Sequence, residues 1–392
     1  MTRDQDLRVV LYDPGAFIPY YVDGLSRGLA ALGVRPRVIS SPPLFAAVDP
    51  EGEYDVDWHF FPFLRGAARA LVRRRRVIRQ GIKVISYPAG IARTLHALRR
   101  GPPGIFHLQW APIPLLDIPL VRALKRRAWR TIYTVHDPLP SPDRPRQRRK
   151  HIVLLRLADA LLVHSRRQRD EIASADPALA SRVHVIAHGA TRFPLPTPAE
   201  RVQCREVLRV DTDRQLLLFF GQIKPHKGLE YLLAAMPQVV ARFPRTLLLI
   251  AGEPLMSLSR IERLIAEQGL RDHVSLRPGF VPDAETPRYL RAADLLVAPY
   301  VRIATSGVVV LAQGHGLPIV ATNVGGLPEF IEHERSGLIV PPRDSPALAA
   351  AIGRALDNRD ALAAMGRRAW ERLENENRWC DVAARTLSVY SS

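Results

Sequence analysis

Leu216-Leu217-Leu218-Phe219-Phe220-Gly221-Gln222-Ile223-Lys224-Pro225-His226-Lys227-Gly228-Leu229-Glu230-Tyr231-Leu232-Leu233-Ala234-Ala235 decides the fold. A five-residue apolar run without polar alternation reads as a parallel strand buried on both faces. A turn with a glycine at each end follows, where the backbone bends tightly and a ligand can approach it. The next residues have helical spacing. Strand, glycine turn and helix in that order form the repeating unit of a doubly wound α/β domain. Lys224 and Lys227, three apart just before the helix, are placed to meet two oxygens of a diphosphate.

Similar units extend both ways along the chain. Downstream, apolar runs fall at Leu247–Ala251, Val274–Leu276, Leu295–Ala298, Ile319–Thr322 and Leu338–Pro341. Upstream they fall at Leu7–Tyr12, Arg37–Ser40, Trp58–Phe63, Ile105–Trp110, Ile132–His136, Leu161–His164 and Val183–Ala187. Two such series predict two doubly wound domains in 392 residues, a length too great for one comfortable α/β unit. The proline-bearing stretch Arg192-Phe193-Pro194-Leu195-Pro196-Thr197-Pro198 interrupts both helix and strand. We therefore expect an N-terminal domain over 1–193, a linker over 194–210 and a C-terminal domain over 211–392. The last helix, about 376–392, is allowed to pack back on the first domain.

Composition narrows the function. The chain carries 56 Lys+Arg against 38 Asp+Glu, a net charge of +18. Up to Phe193 there are 32 basic and 16 acidic residues, and after it 24 and 22, so the two parts carry +16 and +2. A one-sided excess of this size is a field suited to a polyanionic surface: anionic lipid, lipid-linked diphosphate or nucleic acid. A generally arginine-rich composition would raise both parts alike. Leu64–Arg79 has helical spacing, with Arg65, Arg69, Arg73 and Arg76 on one face and Leu64, Ala67, Leu71 and Ile78 on another. That pattern fits an interfacial anchor on anionic lipid, or a solvated helix packed on its own sheet. Lys125-Arg126-Arg127 and Arg144–Lys150 add charge. No signal peptide is visible at the N-terminus, and no apolar run approaches the ~20 residues that span a bilayer. Two distant cysteines, Cys204 and Cys380, provide no disulfide framework and suit a reducing cytoplasm. The expectation is a cytoplasmic protein peripherally associated with the inner face of the membrane.

The ordered motifs after Leu216 resemble the C-terminal domain of the family-4 retaining glycosyltransferases, which have the B-type architecture of two Rossmann-like domains facing across a cleft. Those motifs are Gly221 to Gly228, then Ile250-Ala251-Gly252-Glu253 and Arg277-Pro278-Gly279-Phe280-Val281-Pro282-Asp283. Thr305-Ser306-Gly307-Val308, Gly316-Leu317-Pro318 and Val324-Gly325-Gly326-Leu327-Pro328-Glu329 complete the set. The resemblance covers roughly Leu216 to Pro342, with weaker echoes before it. It implies that Lys227 and Lys224 neutralise a donor diphosphate, with Gly221 and Gly252 lining the site. Phe280 and Val281 would flank the nucleotide base. Thr305, Ser306, Gly307 and Val308 would present hydroxyls and N–H groups to phosphate at a helix start. The ordinary alternative for Ser306-Gly307 is a plain helix cap. Most members also carry two glutamates eight positions apart around this helix start. Here those places hold Ile303 and Leu311, neither able to accept a hydrogen bond, which suggests a variant branch. Glu329 lies nearby in a different loop, and the ribose contact stays unassigned.

In the first half the resemblance places His136, closing the strand before Asp137, beside the transferring sugar as a catalytic residue together with Lys227. Gly15, Phe17, Tyr20 and His107 are candidate acceptor-binding residues, with Phe17 and Tyr20 equally able to pack onto the sheet. His164 and His188 look like rim positions. The histidines share no short spacing that would indicate a metal site, so neither metal nor cofactor is expected, with the nucleoside-diphosphate sugar serving as co-substrate. The expected activity is retaining sugar transfer to a membrane-associated acceptor in surface polysaccharide or glycolipid synthesis. A non-catalytic sugar-nucleotide-binding subunit is the alternative. Nucleic-acid binding ranks last, because aromatic single-strand platforms and a recognition helix are lacking.

Overall fold

The computed structural model describes residues 7–43, 52–62, 76–137, 139–140 and 144–392, without the side chains of 76–85. The basic segment Leu64–Arg79 falls largely outside the described residues; from Arg76 its backbone is helical.

The chain separates into two compact units. One holds Met1–Gly189 with Trp379–Ser392, and the other holds Ala190–Arg378. In the first, the elements run β1 (Val9–Asp13), α1 (Pro19–Ala31), β2 (Arg37–Ser40), β3 (Asp55–Trp58), α2 (Arg76–Leu98), β4 (Ile105–Leu108), α3 (Pro114–Lys125), β5 (Arg130–Thr134), α4 (Pro145–Leu157), β6 (Ala160–Val163), α5 (Arg166–Ala175) and β7 (Val183–Val185). In the second they run α6 (Pro198–Val207), β8 (Gln215–Phe220), α7 (Leu229–Arg242), β9 (Thr246–Gly252), α8 (Ser259–Glu267), β10 (Val274–Pro278), α9 (Thr286–Ala292), β11 (Leu295–Ala298), α10 (Gly307–Gly314), β12 (Ile319–Thr322), α11 (Leu327–Phe330), β13 (Leu338–Val340), α12 (Ser345–Asp357) and α13 (Arg359–Glu376). A last helix, α14 (Trp379–Ser391), belongs to the first unit.

Each unit has one parallel sheet. The orders are β3-β2-β1-β4-β5-β6-β7 and β10-β9-β8-β11-β12-β13. The strand order along each sheet reverses once, between β1 and β4 and between β8 and β11, and such switch points leave a crevice at the carboxyl edge. Both sheet faces are covered, which explains the unbroken apolar runs. Val10 and Tyr12 of β1 pack with Phe60 and Phe106, whereas Val9 and Leu11 pack with Tyr21, Leu25 and Val382. In β8, Leu217 and Phe219 face Leu232 and Met236, while Leu216 and Leu218 face Tyr289 and Val309. Each fully buried Leu or Phe stabilises the fold by about 1.5–3 kcal/mol.

Two expectations about organisation need correction. Residues 194–210 are not a bare linker, since Pro198–Val207 is a helix with Pro at its first position and a complete Thr197–Glu200 capping box. That helix is bound into the second unit. Arg205 donates from Nε to the carbonyl of Ala292 at 3.0 Å and pairs through Nη2 with Asp294 at 2.6 Å. The division falls after Gly189 rather than Phe193, because Phe193 is already held by the second unit. Its carbonyl accepts from Trp370 Nε1 at 2.8 Å, and its ring stacks on His315 at 4.2 Å.

The third strand also differs from the apolar run Trp58–Phe63. It comprises Asp55–Trp58, an edge strand on which Arg35 meets Asp55 at 3.1 Å and Arg37 meets Asp57. Phe60 and Phe61 have left the sheet by then and fill the core beneath it.

Helix α14 closes the first unit by lying against α1. A Cβ on Gly24 would sit 2.2 Å from the Trp379 ring, and one on Gly28 would sit 2.5 Å from the Trp379 carbonyl. Small residues on α1 thus admit the later helix at close range.

Candidate functional site

In the second unit the carboxyl ends of β8, β9, β10 and β11 bring four loops together. Gly221 leaves β8 with its N–H donated to Ala251, and Gly279 after β10 donates to the carbonyl of Gly252. Gly252 cannot be replaced without movement, since its φ is +152° and a Cβ would lie 1.8 Å from the Gly221 carbonyl. Phe280 and Val281 follow Gly279 in the same cluster of loops, with Val281 packed on the core. The turn bearing Lys224 and Lys227 is held on two sides. Ile223 N–H donates to Glu253 at 2.9 Å, and Val301 N–H donates to the carbonyl of His226 at 2.9 Å.

That second bond ties the basic turn to the loop after β11, across the switch point. At the junction Lys227 Nζ stands 3.7 Å over the ring of buried Tyr300. Tyr300 in turn places its hydroxyl 3.4 Å from Ser306 Oγ, and its carbonyl accepts from Thr322 Oγ1 at 2.5 Å. Ser306 is the N-cap of α10, accepting from Val309 N–H, and Gly307 beside it faces open space. The hydroxyl of Thr305 is buried with no hydrogen-bond partner among the described residues. A cation, two hydroxyls and an open helix N-terminus therefore share one small region, the chemistry that receives a phosphate group. Val308 stands over the Gly221 turn, 3.1 Å from where a Gly221 Cβ would lie. Ile303 and Leu311 are half-buried and pack on the apolar core of this unit.

In the first unit the carboxyl edge carries aromatic and imidazole rings. Asp13, closing β1, accepts from the N–H groups of Phe17 and Ile18 at 3.1 Å each and so sets the entry to α1. Phe17 stacks on Trp110 across the β1/β4 switch point at 5.3 Å, and both Phe17 and Tyr20 are exposed. A Cβ on Gly15 would run into the Phe17 ring at 2.1 Å.

Strands β5, β6 and β7 each lead into a histidine: His136, His164 and His188. Tyr21 of α1 meets all three rings at 4.7 to 5.1 Å, with Trp379 on its other side at 5.3 Å. His136 Nε2 lies 3.1 Å from Gln109 Oε1, and its Nδ1 lies 3.2 Å from His164 Nε2. His164 Nδ1 lies 3.0 Å from the Ile186 carbonyl. Gln168 braces the pair, its oxygen accepting from His164 N–H and its nitrogen donating to the carbonyl of Val135 at 2.6 Å. Burial makes the charged form of each ring costly. It pulls His164 down to about 3 and His188 to about 4, and holds His136 well below the usual imidazole value with help from His164 and His188. All three are neutral at pH 7.

His107 does not join this edge. It is fully buried, with Nε2 at 2.6 Å from Thr134 Oγ1 and Nδ1 at 2.6 Å from Tyr390 Oη, and burial pulls its pKa to about 3. Nδ1 ties α14 to the sheet and Nε2 is taken by Thr134 of β5, so His107 has no surface to offer an acceptor. Tyr300 and Gln109 are the residues that sequence reasoning passed over. Their signal was position alone, each at the end of a buried strand. Among the described residues no group of three His, Cys, Asp or Glu side chains is arranged to hold a metal ion, and no helix is long and apolar enough to cross a membrane.

Residues 18–191 match the family described as Glycosyltransferase Family 4, and residues 214–358 match Glycosyl transferases group 1. The chain is thus similar to glycosyltransferases in both of its units. The two matched stretches of the chain correspond to the two parallel-sheet units. Among curated relatives it is 32% identical over 243 residues to a D-inositol 3-phosphate glycosyltransferase of Thermobispora bispora, covering 60% of this chain and 56% of that one. It is 30% identical over 198 residues to a GDP-mannose-dependent alpha-(1-6)-phosphatidylinositol monomannoside mannosyltransferase of Mycobacterium tuberculosis, covering 48% and 50%. The chain thus spans about half the length of these relatives. Among solved structures, Anabaena Alr3699/HepE in complex with UDP-glucose superposes with a TM-score of 0.76 at 18% identity, covering 97% of this chain and 99% of that one. At that identity the likeness is one of fold, and it agrees with the B-type, two-domain architecture of the family-4 glycosyltransferases.

Proposed function

We propose that this chain moves a sugar from a nucleoside-diphosphate donor, with retention, to a membrane-associated acceptor such as a lipid-linked saccharide, in surface polysaccharide or glycolipid synthesis. The observation that supports it most is the meeting of Lys227, Tyr300 and Ser306 at the open start of α10. In this reading Lys227, with Lys224 from the same turn, and the N-terminal dipole of α10 offset the charge of the departing diphosphate, and Thr305 supplies a further hydroxyl. Gly221, Gly252, Phe280, Val281, Gly307 and Val308 surround the donor. Stabilising the leaving group where charge develops, and holding the acceptor hydroxyl in place, supply the rate without a metal.

An acceptor with both apolar and anionic parts suits the first unit. Phe17, Tyr20 and Leu115 are exposed near its sheet edge, and the start of α4 carries Arg144, Arg146, Arg148, Arg149 and Lys150 with no acidic residue in its first turn. The Mycobacterium tuberculosis relative, by its name, acts on phosphatidylinositol monomannoside. Basic residues near an anionic bilayer contribute about 1 kcal/mol each, enough for reversible docking at the inner face of the membrane. Nucleic acid has no place in this scheme.

The test is transfer of label from radiolabelled sugar nucleotides to a lipid extract by the purified protein. No transfer from any donor, together with no donor binding, would end the proposal. The half-buried apolar side chains of Ile303 and Leu311 favour one second reading, a non-catalytic sugar-nucleotide-binding subunit. Stabilisation by a donor without turnover on a broad acceptor panel would select it.

A further inference from the structure

The hydrogen-bond chain behind His136 has a direction that can be worked out atom by atom. The Ile186 carbonyl can only accept, so His164 Nδ1, 3.0 Å away, carries a hydrogen. His164 is buried and neutral, so its Nε2 is bare. That lone pair faces His136 Nδ1 at 3.2 Å, which must therefore carry the hydrogen of His136. His136 is likewise neutral, pressed by burial and by its imidazole neighbours His164, His188 and His107. Its Nε2 is then an acceptor.

Gln109 supplies an independent check. The fully buried side-chain amide meets His136 Nε2 through its oxygen at 3.1 Å, while its nitrogen is buried without a partner among the described residues. Two acceptors opposed and a donor stranded is the signature of an amide whose ends are exchanged. With the amide turned, its NH2 donates into the His136 lone pair and every bond in the chain runs one way. Tyr21 against one edge of the His136 ring and Trp110 stacked at 6.2 Å hold the ring plane.

We propose that His164 is a positioning residue that, anchored on the Ile186 carbonyl, fixes His136 in its Nδ1–H form, so that His136 Nε2 receives a hydroxyl hydrogen of the substrate in exchange for the Gln109 amide. The part concerning substrate rests on the sugar-transfer reading above; the part concerning the tautomer does not. A hydroxyl that donates to His136 keeps both oxygen lone pairs free for other donors. A histidine in the opposite tautomer would instead donate to that oxygen and occupy one of its lone pairs.

Two-bond 1H–15N spectra of the full chain labelled on histidine read the tautomers directly, without substrate. Wild-type protein should show His136 and His164 neutral and protonated on Nδ1. In His164→Leu the His136 resonance should move toward the Nε2–H form, whereas His164→Gln, which keeps an acceptor oxygen opposite Nδ1, should retain it. With a donor and acceptor in hand, kcat should fall about tenfold or more in His164→Leu with KM little changed, and His164→Gln should recover most of it. A wild-type His136 protonated on Nε2 would overturn the proposal, as would equal losses of kcat in the two variants with the tautomer unmoved. Should His164→Leu not fold, the wild-type and His164→Gln spectra decide the tautomer between them. If no donor is ever turned over, the spectra still stand or fall by themselves, so the two readings fail separately.

Discussion

Lys227 Nζ lies 3.7 Å from the centre of the Tyr300 ring, and the hydroxyl of that ring lies 3.4 Å from Ser306 Oγ, the cap of α10. One tyrosine thus spaces a cation and a helix start at the two ends of a single aromatic side chain. The ring face holds the ammonium without neutralising it, which leaves the charge available to an anion.

Replacing Lys227 with alanine should therefore cost ligand affinity far more than stability. Loss of a charge-assisted hydrogen bond weakens binding by about 1.5–3 kcal/mol, or roughly 10- to 150-fold in Kd for a sugar nucleotide. The cation–aromatic contact contributes only about 0.5–1 kcal/mol to folding at an accessible site. Calorimetric titration beside thermal denaturation measures both, and an unchanged Kd would remove Lys227 from the diphosphate site.

Asp117 gives a pH signature. It is fully buried and accepts from Tyr87 Oη at 2.6 Å, Tyr12 Oη at 3.3 Å and Ile113 N–H at 2.9 Å. Burial raises its pKa to about 6 against the opposing pull of these donors. Between its unfolded value near 4 and about 6 the folded state holds the proton more tightly, so stability contributed by this group is full below that window and falls as pH rises through it. Asp117→Asn cannot titrate, and its stability should be flatter with pH across the same window in denaturant titrations. A slope equal to that of the wild type would show that Asp117 is ionised throughout.

Tyr390 and His107 form one bond that fastens α14 to the sheet. Tyr390→Phe keeps the packing but leaves a buried imidazole nitrogen without its partner, a cost of about 1–3 kcal/mol. Chemical denaturation should show that loss, and hydrogen exchange should place it in α14 and β4. A loss confined to other elements would contradict the fastening role.

The capping box on α6 makes a smaller claim. Thr197 accepts from Glu200 N–H at 3.2 Å, and Glu200 accepts from Thr197 N–H at 2.8 Å. Thr197→Ala should destabilise the second unit by about 1 kcal/mol, and Thr197→Ser should retain most of the bond. Comparison of the two melting curves checks it.

The strands that a sequence reader finds most easily here are those in which burial alone dictates composition. Leu216–Phe220 and Leu247–Ala251 lie covered on both faces, and almost every position must be apolar. Asp55–Trp58 escaped notice because it is an edge strand whose aspartates meet Arg35 and Arg37 beside it, which a local apolar pattern does not reveal. His107 misled for a similar reason. It stands at a strand end like His136, yet it shares the sheet face of Ile105, covered by α14 from the far end of the chain. Lys224, Lys227, Thr305 and Ser306 could be singled out as candidate phosphate ligands because turn chemistry and helix starts are written locally. The pairing of His136 with His164, and of Lys227 with Tyr300, depends on which strand lies beside which, and only the sheet order β5-β6-β7 and β8-β11 supplies that.

The placement of residues 379–391 on α1 has a consequence for biogenesis. During synthesis the β1–β7 sheet emerges from the ribosome early, with the face bearing Tyr21, Leu25 and Leu29 of α1 still missing the helix that shields it. Nearly two hundred residues, the whole Ala190–Arg378 unit, must be translated before that shield exists. At ordinary elongation rates of about 5–20 residues per second, this leaves an apolar surface uncovered for roughly 10–40 s. Slowing translation across Ala190–Arg378 should therefore lower the yield of folded protein.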